Sequence, residues 1–357
     1  MSSTHPWPNL TKTTHRTEYA AISPLNPANS HAGKTVVVTA GATGVGLFIS
    51  RGFLRAGART VVLLARREAV LAEAAAGLRD EFGEKSSDGV DKVLTYAVDI
   101  TDEDRVNNVF ADVRRRINSG DDNDDGKKVE LRRDIDILVL SAAYVDHGLP
   151  VLGYTRQSLR ASFETNVLGN LNAVRAFVPE AAYMPVADMS GEVRAPVRTP
   201  PPPASSSPSS PSTTTSSSDR VIIAIADVMS YTLFPTQSLY GASKLPFHTF
   251  MLRHLDAELR QLSSATSPST SRPVVRAHAL HPGALLTPAG LDIGFTEQMF
   301  PWDDPSLPGG FATWLASDAG RFLRGRFVHA TWDVDELVAM RGRFEEDADL
   351  AEVVLKV

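Results

Sequence analysis

Hydrophobic positions in this chain gather into short continuous runs, separated by longer stretches of helical period. Lys34-Thr-Val-Val-Val-Thr39 is apolar without alternation, and Thr60–Ala65, Asp134–Leu140 and Arg220–Ala226 read the same way. A strand apolar on both faces belongs in a parallel sheet with helices above and below it. The pattern predicts strands over 34–39, 60–65, 92–98, 134–140, 220–226 and 273–280. Helices are expected over 44–56, 67–82, 103–117, 155–182 and 239–262. Beyond residue 290 the pattern is less regular, with a strand expected at 326–330 and a closing helix at 334–344. Strand and helix in strict alternation, joined by right-handed crossovers, make an α/β fold with a doubly wound parallel sheet.

Three segments break this rhythm. Residues 119–128 are a charged loop, 196–219 hold Pro200–Pro203 and a Ser/Thr/Pro tract, and 263–272 are a shorter Ser/Thr/Pro stretch. Such a tract buries no apolar surface, so 196–219 is expected to be disordered. The strand after it resumes the same alternation, so these are read as insertions in a single domain spanning 31–357, after an N-terminal extension over 1–30. No internal repeat is evident.

Composition narrows the function classes. With 357 residues, 43% of them hydrophobic, the chain can bury a substantial core. A net charge of −6 without clustered basic residues argues against a nucleic-acid surface or a polybasic membrane anchor. There is no cysteine, which excludes disulfides, thiolate metal sites and cysteine nucleophiles. Residues 1–30 are polar and interrupted by Pro6, Pro8, Pro24 and Pro27, and no run of apolar residues is long enough to cross a bilayer. A cytoplasmic protein is expected. The nine histidines are scattered without a ligand spacing, so no metal is expected.

Candidate chemistry begins directly after the first strand. Thr39-Ala-Gly-Ala-Thr-Gly-Val-Gly46 joins that strand to the first helix. There, missing side chains let the backbone approach a pyrophosphate, and the helix N-terminus supplies N–H groups and a positive dipole end. A glycine-rich turn also serves loops that bind nothing, and the strand–turn–helix context favours the phosphate reading. Farther on, Tyr240-Gly-Ala-Ser-Lys244 places a phenol and an ammonium four residues apart, on one face of the expected helix. A nearby cation favours phenolate and brings a tyrosine toward acid/base range. The same spacing also occurs on helices that do no chemistry.

Together these two motifs resemble the short-chain dehydrogenase/reductase family, which has a Rossmann-type fold, and the likeness spans about residues 30–285 apart from the insertions. The resemblance implies a nicotinamide dinucleotide held by Thr39, Gly41, Gly44, Val45 and Gly46, with Ala40 standing where the family has its first glycine. A methyl group is tolerated there at negative φ and strained at positive φ. Asp99-Ile100 is similar to the family pair that contacts the adenine. Leu140-Ser-Ala-Ala143 replaces the family's Asn-Asn-Ala-Gly. Pro282, Gly283, Leu285 and Thr287 match its Pro-Gly-x-x-x-Thr segment beside the nicotinamide. By the same resemblance Tyr240 exchanges a proton with the substrate oxygen, Lys244 tunes it and holds the nicotinamide ribose, and Asn166 supports a water relay.

Two further places bear on cofactor choice and on the reaction. The second expected strand ends in Leu64-Ala65-Arg66-Arg67, with no acid until Glu68. A guanidinium suits a 2′-phosphate, so Arg66 favours NADPH over NADH, although a solvated helix start also accounts for it. The family serine should lie 13 residues before the tyrosine, and Asp227 stands there. An ionised Asp227 would repel a developing oxyanion, a protonated one would donate a hydrogen bond, and it is also placed to act as a base or pair with Lys244. Ser230 is an alternative hydroxyl.

The expected function is NADPH-dependent hydride transfer to or from a carbonyl or alcohol of a small organic molecule. The alternatives are a non-redox isomerase, dehydratase or cyclase using Asp227 and Tyr240, and an inactive nucleotide-binding protein. Phe295, Met299, Phe300 and Trp302 read as an apolar lid or as core. Segments 13–24 and 327–337 resemble extensions in fungal members of the family, many of which act in specialised metabolism, and family members are commonly homo-oligomers.

Overall fold

The computed structural model describes residues 9–118, 133–146, 148–178, 219–265 and 275–353. The insertion at 119–128 and nearly all of that at 196–219 lie outside the described residues. Seven strands form one parallel sheet: β1 (Thr35–Thr39), β2 (Thr60–Ala65), β3 (Val93–Ala97), β4 (Ile137–Leu140), β5 (Arg220–Ile225), β6 (Val275–His281) and β7 (Phe327–His329). Their spatial order is β3-β2-β1-β4-β5-β6-β7, every neighbouring pair parallel. The expected doubly wound, Rossmann-type sheet is therefore the observed one. The chain reverses its direction of travel between β1 and β4, and such a switch point opens a crevice at the strands' C-terminal ends.

The unbroken apolar runs follow from burial on both faces. Val36 and Val38 enter one core, and Val37 between them enters the other. Val61 and Leu63 divide from Val62 and Leu64 in the same way. The first core packs α1 (Gly44–Arg55) and α2 (Glu68–Phe82) on the sheet, and the second packs α3 (Glu103–Ile117). Asp102 caps α3 by accepting the Arg105 N–H at 3.0 Å.

Two expected long helices are interrupted. The segment expected as one helix over 155–182 is α4 (Arg156–Phe163), a π-helical turn over Glu164–Gly169 and α5 (Asn170–Phe177). The segment expected over 239–262 is α6 (Ser238–Leu245), a second π-turn over Pro246–Met251 and α7 (Leu252–Ala265). Pro246 has no N–H to give the preceding turn, which accounts for the second break. The first has its cause in the site, described below. The chain continues through α8 (Pro288–Asp292) and α9 (Ser306–Ala316) to β7, and the closing helix is two pieces, α10 (Val334–Ala339) and α11 (Arg341–Glu346).

The described part of the N-terminal extension packs on the domain. Ile22 is fully buried in the first core, Thr14 bridges Trp332, and the His15 N–H donates to the Thr331 carbonyl at 2.8 Å. Among the described residues, no helix is long and apolar enough to cross a membrane.

Candidate functional site

A cavity of about 340 Å³ opens at the C-terminal edge of the sheet. One end is lined by Ala40, Thr43, Gly44 and Val45, the other by Asp227, Tyr240 and Lys244, with Pro282, Gly283, Leu285 and Thr287 along one side. Residues far apart in sequence meet here because parallel strands bring all their C-terminal ends to one edge.

The glycine turn is shaped by close backbone approach. A Cβ on Gly46 would lie 2.4 Å from the Ala40 carbonyl oxygen, so only glycine lets the turn fold back on the first turn of α1. Thr43 occupies the N-cap position of α1 but makes no side-chain capping bond. The leading N–H groups of α1 therefore lie at the cavity end without a side-chain cap, as an anionic group requires. Ala40 has φ of +50°, in the left-handed region. The condition under which its methyl would be harmless is not met, and the turn carries strain at that residue. Thr39 does not face the cavity. It is fully buried, and its Oγ1 accepts the N–H groups of Ser141 and Ala142, both at 2.9 Å. Its role is to tie the end of β1 to the loop after β4.

Tyr240 and Lys244 sit on one face of α6. The Lys244 Nζ lies 5.8 Å from the centre of the Tyr240 ring. Lys244 is buried; its ammonium donates to the Ile225 carbonyl at 2.8 Å and lies 3.4 Å from Nε2 of His248. Burial lowers its pKa to about 8, with the nearby Asp227 carboxylate opposing the fall. Burial first, and Asp227 second, push the Tyr240 phenol well above its ordinary value. The sequence spacing implied the opposite direction, because it shows the cation but not the desolvation.

Asp227 follows β5, as the spacing from Tyr240 requires. One carboxylate oxygen accepts the Met229 N–H at 2.9 Å and caps a short 3-10 turn over Val228–Ser230. It makes no ion pair with Lys244 among the described residues. Ser230 is buried within the same turn, away from the cavity lining. Gly241 makes room for this turn: a Cβ there would lie 2.2 Å from the Met229 carbonyl oxygen.

Asn166 explains the first π-turn. Its side chain is fully buried, accepts the Tyr144 N–H at 2.8 Å, and donates to the Tyr144 carbonyl at 3.1 Å and to Ser243 Oγ at 2.8 Å. One amide thus joins the loop after β4 to α6 beside Lys244. π-turns of this kind often re-aim a side chain at a functional site.

Of the other expected contacts, Arg66, Asp99 and Ile100 lie outside the cavity wall. Arg66 is exposed after β2. Asp99 accepts the Thr101 N–H at 3.0 Å and its hydroxyl at 2.8 Å, and Ile100 is buried in the second core. Thr287 lines the cavity while its Oγ1 accepts the Gly290 N–H at 3.2 Å, capping α8. Sequence reasoning missed His281, which lines the cavity from the end of β6, and Phe234 and Gln237 before α6. His281 stands immediately before Pro282-Gly283, a position that signals it.

Residues 34–193 match the family model described as short chain dehydrogenase. The short chain dehydrogenase/reductase AacuD of Aspergillus aculeatus is 27% identical, over 97% of this chain and 96% of its own length. A short chain dehydrogenase/reductase of Claviceps purpurea is 29% identical, over 95% and 92%. Among solved structures, Pseudomonas aeruginosa RhlG in an NADP active-site complex aligns with a TM-score of 0.61 at 19% identity, covering 85% of this chain and 96% of that one. L-Sorbose reductase from Gluconobacter frateurii, complexed with NADPH and L-sorbose, aligns at 0.58 and 20% identity, covering 85% and 96%.

Proposed function

We propose that this chain, which belongs to the short-chain dehydrogenase/reductase family and is an oxidoreductase of that type, reduces a carbonyl group of a small organic molecule with NADPH. The observation that carries this reading is the continuity of one cavity, from the uncapped N-terminus of α1 to the Tyr240–Lys244 pair. The first end fits a pyrophosphate and the second fits a reacting oxygen. A bound nicotinamide supplies the hydride.

Tyr240 supplies the proton. A phenol held well above its ordinary pKa stays protonated at neutral pH, so it is a donor to the oxygen of a carbonyl that gains a hydride at carbon. In the reverse reaction, alcohol oxidation, the phenolate would accept that proton. Lys244, when charged, stabilises the phenolate left behind, and a proton from solvent then restores the phenol. Asn166 keeps α6 in register with the loop after β4. Asp227 orients the substrate, accepting a hydrogen bond from a hydroxyl beside the carbonyl. Arg66 supports NADPH over NADH, being exposed directly after β2, where a guanidinium suits a 2′-phosphate. The NADP and NADPH complexes of the two solved neighbours agree with that choice.

The test is NADPH oxidation against a panel of carbonyl compounds, with Tyr240→Phe as control. Absence of NADPH binding, or full activity in Tyr240→Phe, overturns the reading. A second reading has its own observation, the Asp227 carboxylate in the cavity wall beside Tyr240. The two groups would then move protons in an isomerisation or dehydration. Product formed without stoichiometric NADPH consumption decides for it.

A further inference from the structure

We propose that Arg16, in the N-terminal extension, is a positioning residue that sets the shape of the substrate end of the cavity. It does so by clasping residues 301–303 against the turn at Gly283–Ala284. The proposal rests on the reading above, in which that end receives a small carbonyl compound.

Part of the cavity lining is aromatic. Phe295, Phe300 and Trp302 line the cavity, with Phe300 and Trp302 rings 5.2 Å apart edge to face, and Phe295 and Trp302 rings 5.9 Å apart. These rings come from the stretch between α8 and α9, which is otherwise mostly exposed. Such a stretch holds its rings in place only if something anchors its backbone.

Asp303 is the anchor, and Arg16 holds it. The Asp303 side chain is fully buried, while that of Arg16 is 31% exposed. Arg16 Nε donates to one carboxylate oxygen of Asp303 at 2.9 Å, and the other accepts the Ala284 N–H at 2.7 Å. The Asp303 N–H returns a bond to the Ala284 carbonyl at 2.7 Å. Arg16 Nη2 donates to the Trp302 carbonyl at 2.7 Å and also to that of Pro301, and the Arg16 carbonyl accepts the Asp304 N–H at 2.8 Å. One guanidinium thus fixes a ring-bearing segment and, through Asp303, the turn that lines the cofactor side.

The physical cause is that a buried carboxylate needs a cation and directed donors. Arg16 supplies both and spans a carboxylate and two carbonyls with its planar fork, which a lysine ammonium does not reproduce. Gly283, with φ of +99°, leaves the space: a Cβ there would lie 2.8 Å from Asp303 Oδ2. The extension therefore completes a wall of the site from a part of the chain that the nucleotide motifs do not reach.

The experiment compares wild type, Arg16→Ala and Arg16→Lys, using phenanthrenequinone as a flat aromatic probe and diacetyl as a compact aliphatic one. In Arg16→Ala the KM for phenanthrenequinone is expected to rise about tenfold, with kcat and the KM for diacetyl each within about twofold. Arg16→Lys recovers part of the loss. Amide hydrogen exchange at Ala284 and Asp303, read on the free protein, quickens about tenfold in Arg16→Ala. Quenching of tryptophan fluorescence by phenanthrenequinone reads the same difference in affinity without turnover. It therefore still decides the matter if neither probe is reduced and the proposed function fails. Equal losses for both probes, unchanged exchange, or unchanged quenching overturn the proposal.

Discussion

At the nucleotide end of the cavity the chain contributes backbone and empty space, whereas at the reactive end it contributes ionisable side chains, with Lys244 buried among them. Gly44, Gly46 and the uncapped start of α1 work by what they leave out. Nothing there depends on a protonation state. Tyr240 and Lys244 work through charge, and desolvation beside the Asp227 carboxylate sets that charge as much as the groups' identities do. The contrast teaches that one family likeness covers two kinds of inference. A geometric site carries over once the turn is matched, but an electrostatic site carries over only with its surroundings.

The largest expected effect breaks the reactive end alone. Tyr240→Phe is expected to lower kcat about 10³-fold while leaving the NADPH Kd within about twofold. Isothermal titration beside steady-state kinetics reads both, and parallel losses would mean that the two ends are not separable. Gly46→Ala breaks the other end. Its methyl would meet the Ala40 carbonyl at 2.4 Å, and the overpacked turn should weaken NADPH binding about tenfold or more. Unchanged affinity would remove the turn from the phosphate site.

Asp227→Ser sharpens the comparison through pH. Asp227 raises the Tyr240 phenol and opposes the lowering of Lys244, so both pKa values fall when it is removed. Tyr240 donates only while protonated, and Lys244 assists only while charged, so reduction is lost as pH rises through those values. The alkaline limb of kcat/KM is therefore expected to move to lower pH in Asp227→Ser. A limb that stays put or moves upward would show that Asp227 does not act on the pair. The smallest effect belongs to the geometric end. Ala40→Gly relieves a methyl at φ of +50° and should raise unfolding stability by roughly 0.5–1 kcal/mol in urea, after the greater chain entropy of glycine is counted. A destabilised variant would mean that the turn is not strained there.

Much of this was legible in the sequence. The both-face burial of Val36–Val38 requires helices on each side of the sheet, and the run itself states it. The Tyr240–Lys244 spacing survives because helix period fixes it locally. The breaks at Glu164–Gly169 and Pro246–Met251 were not foreseen, since helical period continues through a π-turn with only a small phase shift. Asp227 was found by counting back from Tyr240, yet its bond to the Met229 N–H follows from how the chain turns after β5. His281 is marked only by its place before Pro282-Gly283, and Arg16 carries no motif at all. Arg16 acquires a role only when residues 287 positions apart are brought together.

What the sequence determined by itself is whatever short-range periodicity and steric need can encode: the alternation of strands and helices, the glycine turn and the phenol–ammonium pair. What only the tertiary structure decided is the state of those groups and the company they keep. The upward shift of Tyr240, the downward shift of Lys244 and the Arg16–Asp303 clasp all arise from desolvation and from contacts between distant segments. Both depend on the packed whole, and no window of neighbouring residues contains them.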